Sequence, residues 1–385
     1  MFHVTRKIDA CLDRVYIYGM LRIPEKRSRL LLPAICLLLW SAKPGCAAEV
    51  IRPKVLVVAT YEVGQDRGDV PGELQYWVER QHLDVAVPVP GLDHPLLTNG
   101  NGLYAMVSGT TSRCAVQMMA LAMNPAFDLT HTYILLSGIG GADPATLTVS
   151  SAVWVQQVVD GDPVFEIDSR EIPAAWPYGT IALGATEPGK VPADVERAPV
   201  AGLSGNGSGG VGKIVYDLNP ALVDWAYGLT REIKLADSPA LKAFRARFAA
   251  DPIALQPPKV IEGDSLGTDR FWHGAIMNRW AEDWVRLYTR GRGALAIADC
   301  EDQGIALAIE KLGQLGRVDK GRLLILRTAS NFTVPPPGIS PEKSLFENLA
   351  SSPAYLPALE ANYQVGSVVT GELLKHWEQY ENQIP

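Results

Sequence analysis

Two short segments near the C-terminus carry the residues best suited to chemistry. One apolar run ends in Asp299 and Glu301, and a second ends in Arg327, Ser330 and Asn331. Both runs have the length and composition of buried strands. In a parallel α/β sheet, ligands bind outside the carboxyl ends of the strands. We therefore predict that these polar ends face one crevice.

Glu301 is the strongest single candidate for a ligand contact. A carboxylate at a strand exit accepts hydrogen bonds from two neighbouring hydroxyls, which suits it to a ribose. The alternative is an acid that caps the following helix, where the helix dipole favours negative charge. That alternative suits Asp302 better than Glu301.

Asn331 carries a donor and an acceptor on one amide, the pair that a purine edge requires. The alternative interpretation is a turn residue ahead of Pro335. The sequence alone leaves both open.

The elements that must position these residues follow an α/β order. Strands are predicted at 54–60 and 132–143, with a helix at 112–123 between them, and the second strand runs into a turn at Gly138–Gly141. This order favours parallel pairing with right-handed crossovers. Residues 173–212 are rich in Pro, Gly, Ala and Thr and predict an irregular insertion.

Composition excludes several classes of function. The chain has 385 residues, 47% of them hydrophobic, and a net charge of −7, which is typical of a globular protein and argues against a nucleic-acid partner. No cysteine and histidine cluster has zinc spacing, and the first strand lacks a G-x-G-x-x-G turn. We therefore predict no metal site and no cofactor.

Residues 1–48 have the pattern of a cleavable signal peptide. Basic residues precede an apolar run at 30–40, and small residues precede a predicted cleavage after Ala48. The run is too short to span a bilayer, and Met20 is an alternative start of the chain. We predict a periplasmic or secreted protein with one domain at 49–385, in which Cys114 and Cys300 are free thiols.

Several segments resemble the nucleoside phosphorylase/nucleosidase superfamily. Residues 55–62 are similar to the opening strand of methylthioadenosine/S-adenosylhomocysteine nucleosidases, which implies that Glu62 activates water as the catalytic base. Residues 107–113 resemble the glycine turn before a helix, which implies a ligand contact at Thr110. The turn that contains Gly140 and Gly141 resembles the G-[ST]-[AC]-G-G motif, which implies close approach of ligand to backbone.

The C-terminal motifs extend this resemblance and also depart from it. Residues 299–304 are similar to E-M-E-A-x-A, which implies that Glu301 binds ribose and that Cys300 lies under the sugar. Leu266 replaces an aromatic residue that lies near the base in the superfamily, and Phe271 is expected to substitute for it.

The superfamily commonly has S-D where this chain has Ser330-Asn331. In the superfamily that this chain resembles, the aspartate of this motif protonates the purine. An amide cannot deliver that proton, and losing such an acid costs about 10²–10⁴ in rate.

The chain resembles the purine nucleoside permease family more closely, through residues 166–171, 273–280, 299–304 and 326–332. The resemblance implies a single three-layer α/β/α domain with a mixed central sheet, nucleoside phosphorylase-like, and a role in purine nucleoside uptake. No segment after the signal is long and apolar enough to span a membrane. His273, just before a predicted helix, is expected to reach the pocket.

Two functions remain open at this point. The first is an exported purine-nucleoside-binding protein that serves uptake. The second is an enzyme that cleaves the N-glycosidic bond, either by hydrolysis with Glu62 as base or with phosphate as co-substrate. Arg67 and Arg113 lie near the loops that would hold phosphate. The resemblance also implies a homo-oligomer.

Overall fold

The strands of this chain form from apolar runs that are buried on both faces. The run at Val55–Ala59 has no exposed residue and pairs in parallel with a strand on each side. Continuous apolar composition of this kind is typical of interior strands in a parallel sheet. The structure is a computed structural model that describes residues 49–190 and 213–385. The predicted signal peptide and residues 191–212 of the predicted insertion lie outside the described residues.

The described residues contain twelve strands. They are β1 (Val55–Ala59), β2 (Val85–Val87), β3 (Leu96–Thr98), β4 (Leu103–Val107), β5 (Tyr133–Ala142), β6 (Ala152–Asp160), β7 (Val164–Glu166), β8 (Thr180–Ala182), β9 (Val215–Asp217), β10 (Val260–Gly267), β11 (Leu295–Asp299) and β12 (Leu323–Phe332).

Nine α-helices and two short 3-10 helices, at Ala246–Phe248 and Lys320–Arg322, connect these strands in the described ranges. The α-helices are α1 (Gln75–Gln81), α2 (Arg113–Met123), α3 (Pro220–Thr230), α4 (Pro239–Arg245), α5 (Ala275–Tyr288), α6 (Asp302–Gln314), α7 (Pro341–Ser351), α8 (Tyr355–Lys375) and α9 (Trp377–Tyr380).

Ten of the strands form one mixed sheet, with β7 and β8 as a separate hairpin. The order is β11-β10-β6-β12-β5-β1-β4-β3-β2, and β9 pairs with β6. The pairs of β1 with β4 and β5 are parallel, as are β5–β12, β6–β10 and β10–β11, whereas β6–β12 and β3–β4 are antiparallel. The predicted α/β fold with a mixed central sheet is confirmed.

The sheet closes on itself at one end. Residues Ile297 and Ala298 of β11 pair in antiparallel register with Ala142 and Gly141 of β5. This contact joins β5, β12, β6, β10 and β11 into a five-stranded barrel. The sequence did not predict the closure, because it depends on strands more than 150 positions apart.

The glycines predicted to form a turn instead continue strand β5. A Cβ at Gly140 would lie 2.7 Å from the carbonyl oxygen of Ala298, and one at Gly138 would meet the guanidinium of Arg327. Glycine inside a strand marks such close approaches. These glycines therefore let β11 and a buried arginine pack against β5.

The largest apolar core follows the sheet, and a smaller one lies around Trp280 and Trp284 of α5. Helix α8 packs on β5 and β12, and α2 packs on α6. Helix α5 packs on β11, so both strands that carry the predicted site, β11 and β12, have a helix packed against them.

Candidate functional site

A cavity of about 520 Å³ opens at the carboxyl ends of β1, β11 and β12. Ligand pockets in proteins commonly have volumes of about 300–1,000 Å³. The predicted ligand-binding residues that line it are Thr110, Gly140, Gly141, Phe271, Cys300, Glu301, Ser330 and Asn331. Glu62 and His273 do not line it. The two C-terminal segments therefore do face one crevice.

Glu301 is buried at the wall of this cavity. Its Oε2 accepts a hydrogen bond from Nη2 of Arg327 at 3.0 Å, whereas Oε1 has only a long contact of 3.4 Å with the N–H of Thr111. Burial raises the pKa of this carboxyl, and the charge of Arg327 opposes that rise. Oε1 is thus the more available of the two oxygens for a ligand hydroxyl.

Arg327 is fully buried (0% exposed) inside β12, where it is surrounded by acids. Besides Glu301, its guanidinium lies 2.8 Å from Asp302 Oδ1 and 3.9 Å from Glu73 Oε1. Nη1 also donates to the carbonyl oxygen of Ile139 at 3.0 Å. The arginine therefore links two acids at the start of α6 to one acid in the loop before α1.

Asp299, the last residue of β11, caps helix α6. Its Oδ1 accepts hydrogen bonds from the N–H groups of Glu301 at 3.0 Å and Asp302 at 2.8 Å. Capping oxygens satisfy N–H groups that a helix start leaves unpaired. The helix-capping role considered for Asp302 thus belongs to Asp299, and Glu301 remains directed at the cavity.

Asn331 lies in strand β12 and not in a turn. The pairing of β12 with β5 shifts between Ala329 and Asn331, so Ser330 is an extra residue opposite Gly140 and Gly141. Such a bulge re-aims the side chains that follow it. The Asn331 amide lines the cavity, and its Oδ1 accepts a hydrogen bond from Ser330 Oγ at 3.0 Å.

The carboxylate of Glu62 binds backbone N–H groups of its own loop and of the start of α1. Its Oε2 accepts hydrogen bonds from the N–H groups of Leu74 at 2.8 Å and Gln75 at 2.6 Å, and Oε1 accepts from Val63 and Gly72. These bonds fold residues 62–73 back onto the start of α1. The carboxylate at the strand exit thereby orders a loop outside the cavity.

Glu73 is the acid that this loop delivers to the cavity. Its Oε1 accepts a hydrogen bond from the N–H of Ile139 at 2.7 Å, and its Oε2 is held by Thr60. Burial raises the pKa of Glu73 to about 7. The positive charge of Arg327 lowers this pKa, and the negative charge of Glu301 raises it further. Sequence reasoning missed Glu73, although an acid directly before an amphipathic helix was the available signal.

His273 points to helix α7, away from the cavity lining. Its Nε2 lies 3.0 Å from Ser344 Oγ, and burial lowers the pKa of the imidazole. The neighbouring Phe271 and Trp272 do line the cavity, and Phe271 is 58% exposed. The aromatic contact predicted at 271 is therefore available at the mouth, while His273 serves packing between two elements.

The rest of the mouth comes from residues far away in the sequence. Leu349 of α7 is 64% exposed at the rim, and Tyr355 begins α8. The hydroxyls of Tyr61 and Tyr355 lie 3.2 Å apart, and Tyr355 also donates to the carbonyl oxygen of Pro71 at 2.9 Å. No local pattern in the sequence predicted this tyrosine pair.

A sequence model of the family described as purine nucleoside permease (NUP) matches residues 52–385. The chain belongs to the purine nucleoside permease family. A purine nucleoside permease of Candida albicans is 24% identical over 350 residues, covering 88% of this chain and 79% of the relative. A protein named probable purine nucleoside permease in Schizosaccharomyces pombe is 24% identical over 348 residues, covering 86% of this chain and 92% of the relative. The predicted family is confirmed.

Two solved structures are distantly similar to this member of the permease family. A 5′-methylthioadenosine/S-adenosylhomocysteine nucleosidase of Helicobacter pylori is 12% identical with a TM-score of 0.48, covering 83% of this chain and 99% of that one. A futalosine hydrolase of the same organism is 12% identical with a TM-score of 0.47, covering 83% and 98%.

The word permease in the family name describes transport across a membrane, so we searched the described helices for one that could cross a bilayer. None of the helices in residues 49–190 and 213–385 combines the length and apolar composition that a bilayer crossing requires. In the same residues, no group of three or more histidine, cysteine or acidic side chains is arranged to hold a metal ion. Both thiols, Cys114 and Cys300, are free.

Proposed function

We propose that this protein binds purine ribonucleosides in the cavity and serves their uptake as an exported binding protein. The observation that carries the proposal is the placement of Glu301 and Asn331 on the wall of one cavity, after β11 and at the end of β12, the two strands that flank the end of β5. A carboxylate suits the paired hydroxyls of ribose, and an amide suits a purine edge. Membership of the permease family and the names of its fungal relatives support the same ligand class.

Charge supports this assignment for Glu301. An ionised carboxylate only accepts hydrogen bonds, so it takes both sugar hydroxyls when it is charged. The hydrogen bond from Arg327 at 3.0 Å favours that ionised form in a buried place. Gly140 and Gly141 line the same cavity. The space that a Cβ would take at either glycine is filled by Ile297 and Ala298 of β11 and by Asn331 and Thr333, and not by open cavity.

Export and uptake remain part of the proposal. They rest on the signal-like pattern of residues 1–48 and on the family name. Fractionation of a host that expresses the full chain, with detection of the processed protein outside the cytoplasm, tests this part separately. A protein that keeps residues 1–48 and stays in the cytoplasm would remove it.

Glu73 favours a second candidate function, hydrolysis of the N-glycosidic bond. In that reaction Glu73 takes a proton from water as the water oxygen attacks C1′ of the ribose. The bond from C1′ to the purine breaks, and its electron pair leaves with the base, which is then protonated by solvent. A carboxyl with its pKa raised to about 7 is well matched to this task near neutral pH.

Two observations weigh on this second function. Asn331 supplies no proton to the leaving purine, which slows cleavage. Among the described residues that line the cavity, the cationic side chain is Arg270, and it is paired with Glu166. That pairing favours water over phosphate as the attacking group. Arg67 is paired with Asp84, and neither it nor Arg113 lines the cavity.

A binding experiment with purified protein tests the first proposal. Calorimetry with inosine, adenosine and guanosine, and with their free bases, is expected to show tighter binding of the ribonucleosides. Glu301→Ala is expected to weaken ribonucleosides about 10- to 100-fold, since hydrogen bonds to charged groups contribute about 1.5–3 kcal/mol, and to affect free bases less. Glu310→Gln is the matched control, because Glu310 lies in α6 but pairs with Lys213 and Lys320 and does not line the cavity. Equal losses for nucleosides and bases would contradict the ribose role.

The same samples separate binding from catalysis. Each nucleoside is incubated with protein, with and without phosphate, and free base is followed by chromatography. Tight binding with no release supports the binding protein. Release without phosphate supports the hydrolase, and binding of none of these nucleosides overturns the proposed function.

A further inference from the structure

Asp302 supplies a carboxylate that the nucleoside site does not touch. Its side chain is fully buried and is not part of the cavity wall. Its Oδ1 lies 2.8 Å from both Nε and Nη2 of Arg327. The same Nη2 donates to Glu301 at 3.0 Å. Asp302 therefore holds one edge of the guanidinium and shares one nitrogen with the ribose-binding carboxylate.

The cluster around Arg327 is unbalanced in charge. One guanidinium faces four carboxylates, because Asp299 Oδ1 at 3.5 Å and Glu73 Oε1 at 3.9 Å lie beside the two closer acids. Like charges at this spacing in a buried place cannot all be ionised, so such a group holds protons.

The other groups that face Glu301 do not offset this charge. They are the thiols of Cys114 and Cys300, whose pKa values are raised by burial, so both stay neutral. The phenol of Tyr61, beside Glu73, is likewise held neutral because burial raises its pKa. Proton uptake in the cluster therefore falls on the carboxylates.

We propose that Asp302 is a positioning residue that sets the charge on Glu301 through Arg327 and so makes nucleoside binding depend on pH. This inference rests on the proposed binding of ribonucleosides. Asp302 and Glu301 share the positive charge of Arg327, so Asp302 weakens the attraction between Arg327 and Glu301. The negative charge of Asp302 also repels that of Glu301. Without that negative charge, Arg327 is left to Glu301, Asp299 and Glu73, and Glu301 stays ionised to lower pH.

The substitution Asp302→Asn separates the charge of the side chain from its geometry. Its amide oxygen still accepts from Nε of Arg327, so the guanidinium keeps its place while the negative charge is lost. Glu310→Gln is the matched control, because Glu310 lies on the same helix α6 but pairs with Lys320 and Lys213 outside the cluster.

The experiment measures the dissociation constants of inosine and hypoxanthine by calorimetry between pH 4.5 and 8.5. Wild-type affinity for inosine is expected to fall as the pH is lowered, since protonation of Glu301 removes an acceptor. In Asp302→Asn the midpoint of that fall is expected about one pH unit lower, because removing a nearby like charge lowers an acid's pKa by about that much or more. Hypoxanthine affinity is expected to be independent of Asp302, and Glu310→Gln is expected to match the wild type.

An Asp302→Asn protein that binds inosine with the wild-type midpoint overturns the inference, whatever its melting temperature, because a purely structural role would change stability alone. If that variant does not fold, Asp302→Ser removes the same charge and keeps a hydroxyl acceptor. It is expected to shift the midpoint in the same direction, and an unshifted midpoint overturns the inference. A wild-type protein that binds no nucleoside at any pH instead overturns the proposed function.

Discussion

Glu73, at the start of α1, accepts hydrogen bonds from both the backbone N–H of Thr60 at 2.8 Å and its hydroxyl at 2.7 Å. The two residues are 13 positions apart, and the loop between them is held by Glu62. Thr60 follows directly on β1, so these bonds fix an acid at the carboxyl end of that strand. Glu73 thereby occupies the kind of position that the sequence suggested for Glu62.

Substitution of Glu73 distinguishes the two acids. Under the second candidate function, hydrolysis, we expect Glu73→Gln to lower the rate of base release from inosine about 10²–10⁴-fold, because the amide cannot take a proton from water. Glu62→Gln is expected instead to lower the free energy of unfolding by about 1–3 kcal/mol, since its carboxylate accepts backbone N–H groups. Chromatography of the free base and urea unfolding measure the two effects. A folded Glu62→Gln protein that has lost release as completely would assign the base to Glu62.

The pKa of Glu73 also predicts how stability depends on pH. Its folded value of about 7 lies above the ordinary value of 4.5, so the folded state binds this proton more tightly than the unfolded state. The stabilisation is complete below about pH 4.5 and is lost as the pH rises through 7, a change of about 3 kcal/mol. Urea unfolding at pH 5, 6, 7 and 8 is expected to show a steeper decline for the wild type than for Glu73→Gln. Parallel curves would contradict the raised pKa.

The substitution Asn331→Asp adds an acid to the cavity, whereas Glu73→Gln removes one. We expect Asn331→Asp to increase base release from inosine by about 10²-fold or more, because a carboxylic acid beside the purine supplies the missing proton. Ser330 Oγ, 3.0 Å from Asn331 Oδ1, is placed to orient the new carboxyl. Asn331→Leu is the control without a proton or a hydrogen bond, and it is expected to weaken binding of free purines. A folded Asn331→Asp protein that binds inosine but shows no gain in release would place the purine elsewhere in the cavity.

Gly138 tests the close packing of β5 against Arg327. A Cβ there would meet Nη1 of Arg327 and lie 2.7 Å from Glu73 Oε1. We expect Gly138→Ala to lower the free energy of unfolding by about 1–3 kcal/mol, the usual cost of overpacking, and to weaken nucleoside binding. Gly228→Ala is the matched control, because its Cβ position in α3 meets no atom within 4 Å beyond the adjoining residues and the backbone of its own helix, and it is expected to stabilise by about 0.5–1 kcal/mol. Equal effects of the two changes would contradict the packing argument.

The sequence alone determined the class of the fold and the two strand ends that carry Glu301 and Asn331. The strands themselves were predictable because they depend on local apolar runs. The parallel pairing assumed for their ends did not hold, since β11 and β12 both pair with β5, β11 in antiparallel and β12 in parallel register. The motifs at 299–304 and 326–332 were likewise local, and they sufficed to identify the family that the match over residues 52–385 confirms.

Tertiary structure decided which charges share the site. Whether Glu62 or Glu73 reaches the cavity depends on a loop that folds back through four backbone hydrogen bonds, and no periodicity encodes that path. Asp302 looks like a helix cap in the sequence, but Asp299 caps α6 and Asp302 binds Arg327 instead. The protonation of the acids around Arg327 depends on their burial and on their distances from one another. Both are set only when β5, β11 and β12 pack around this arginine.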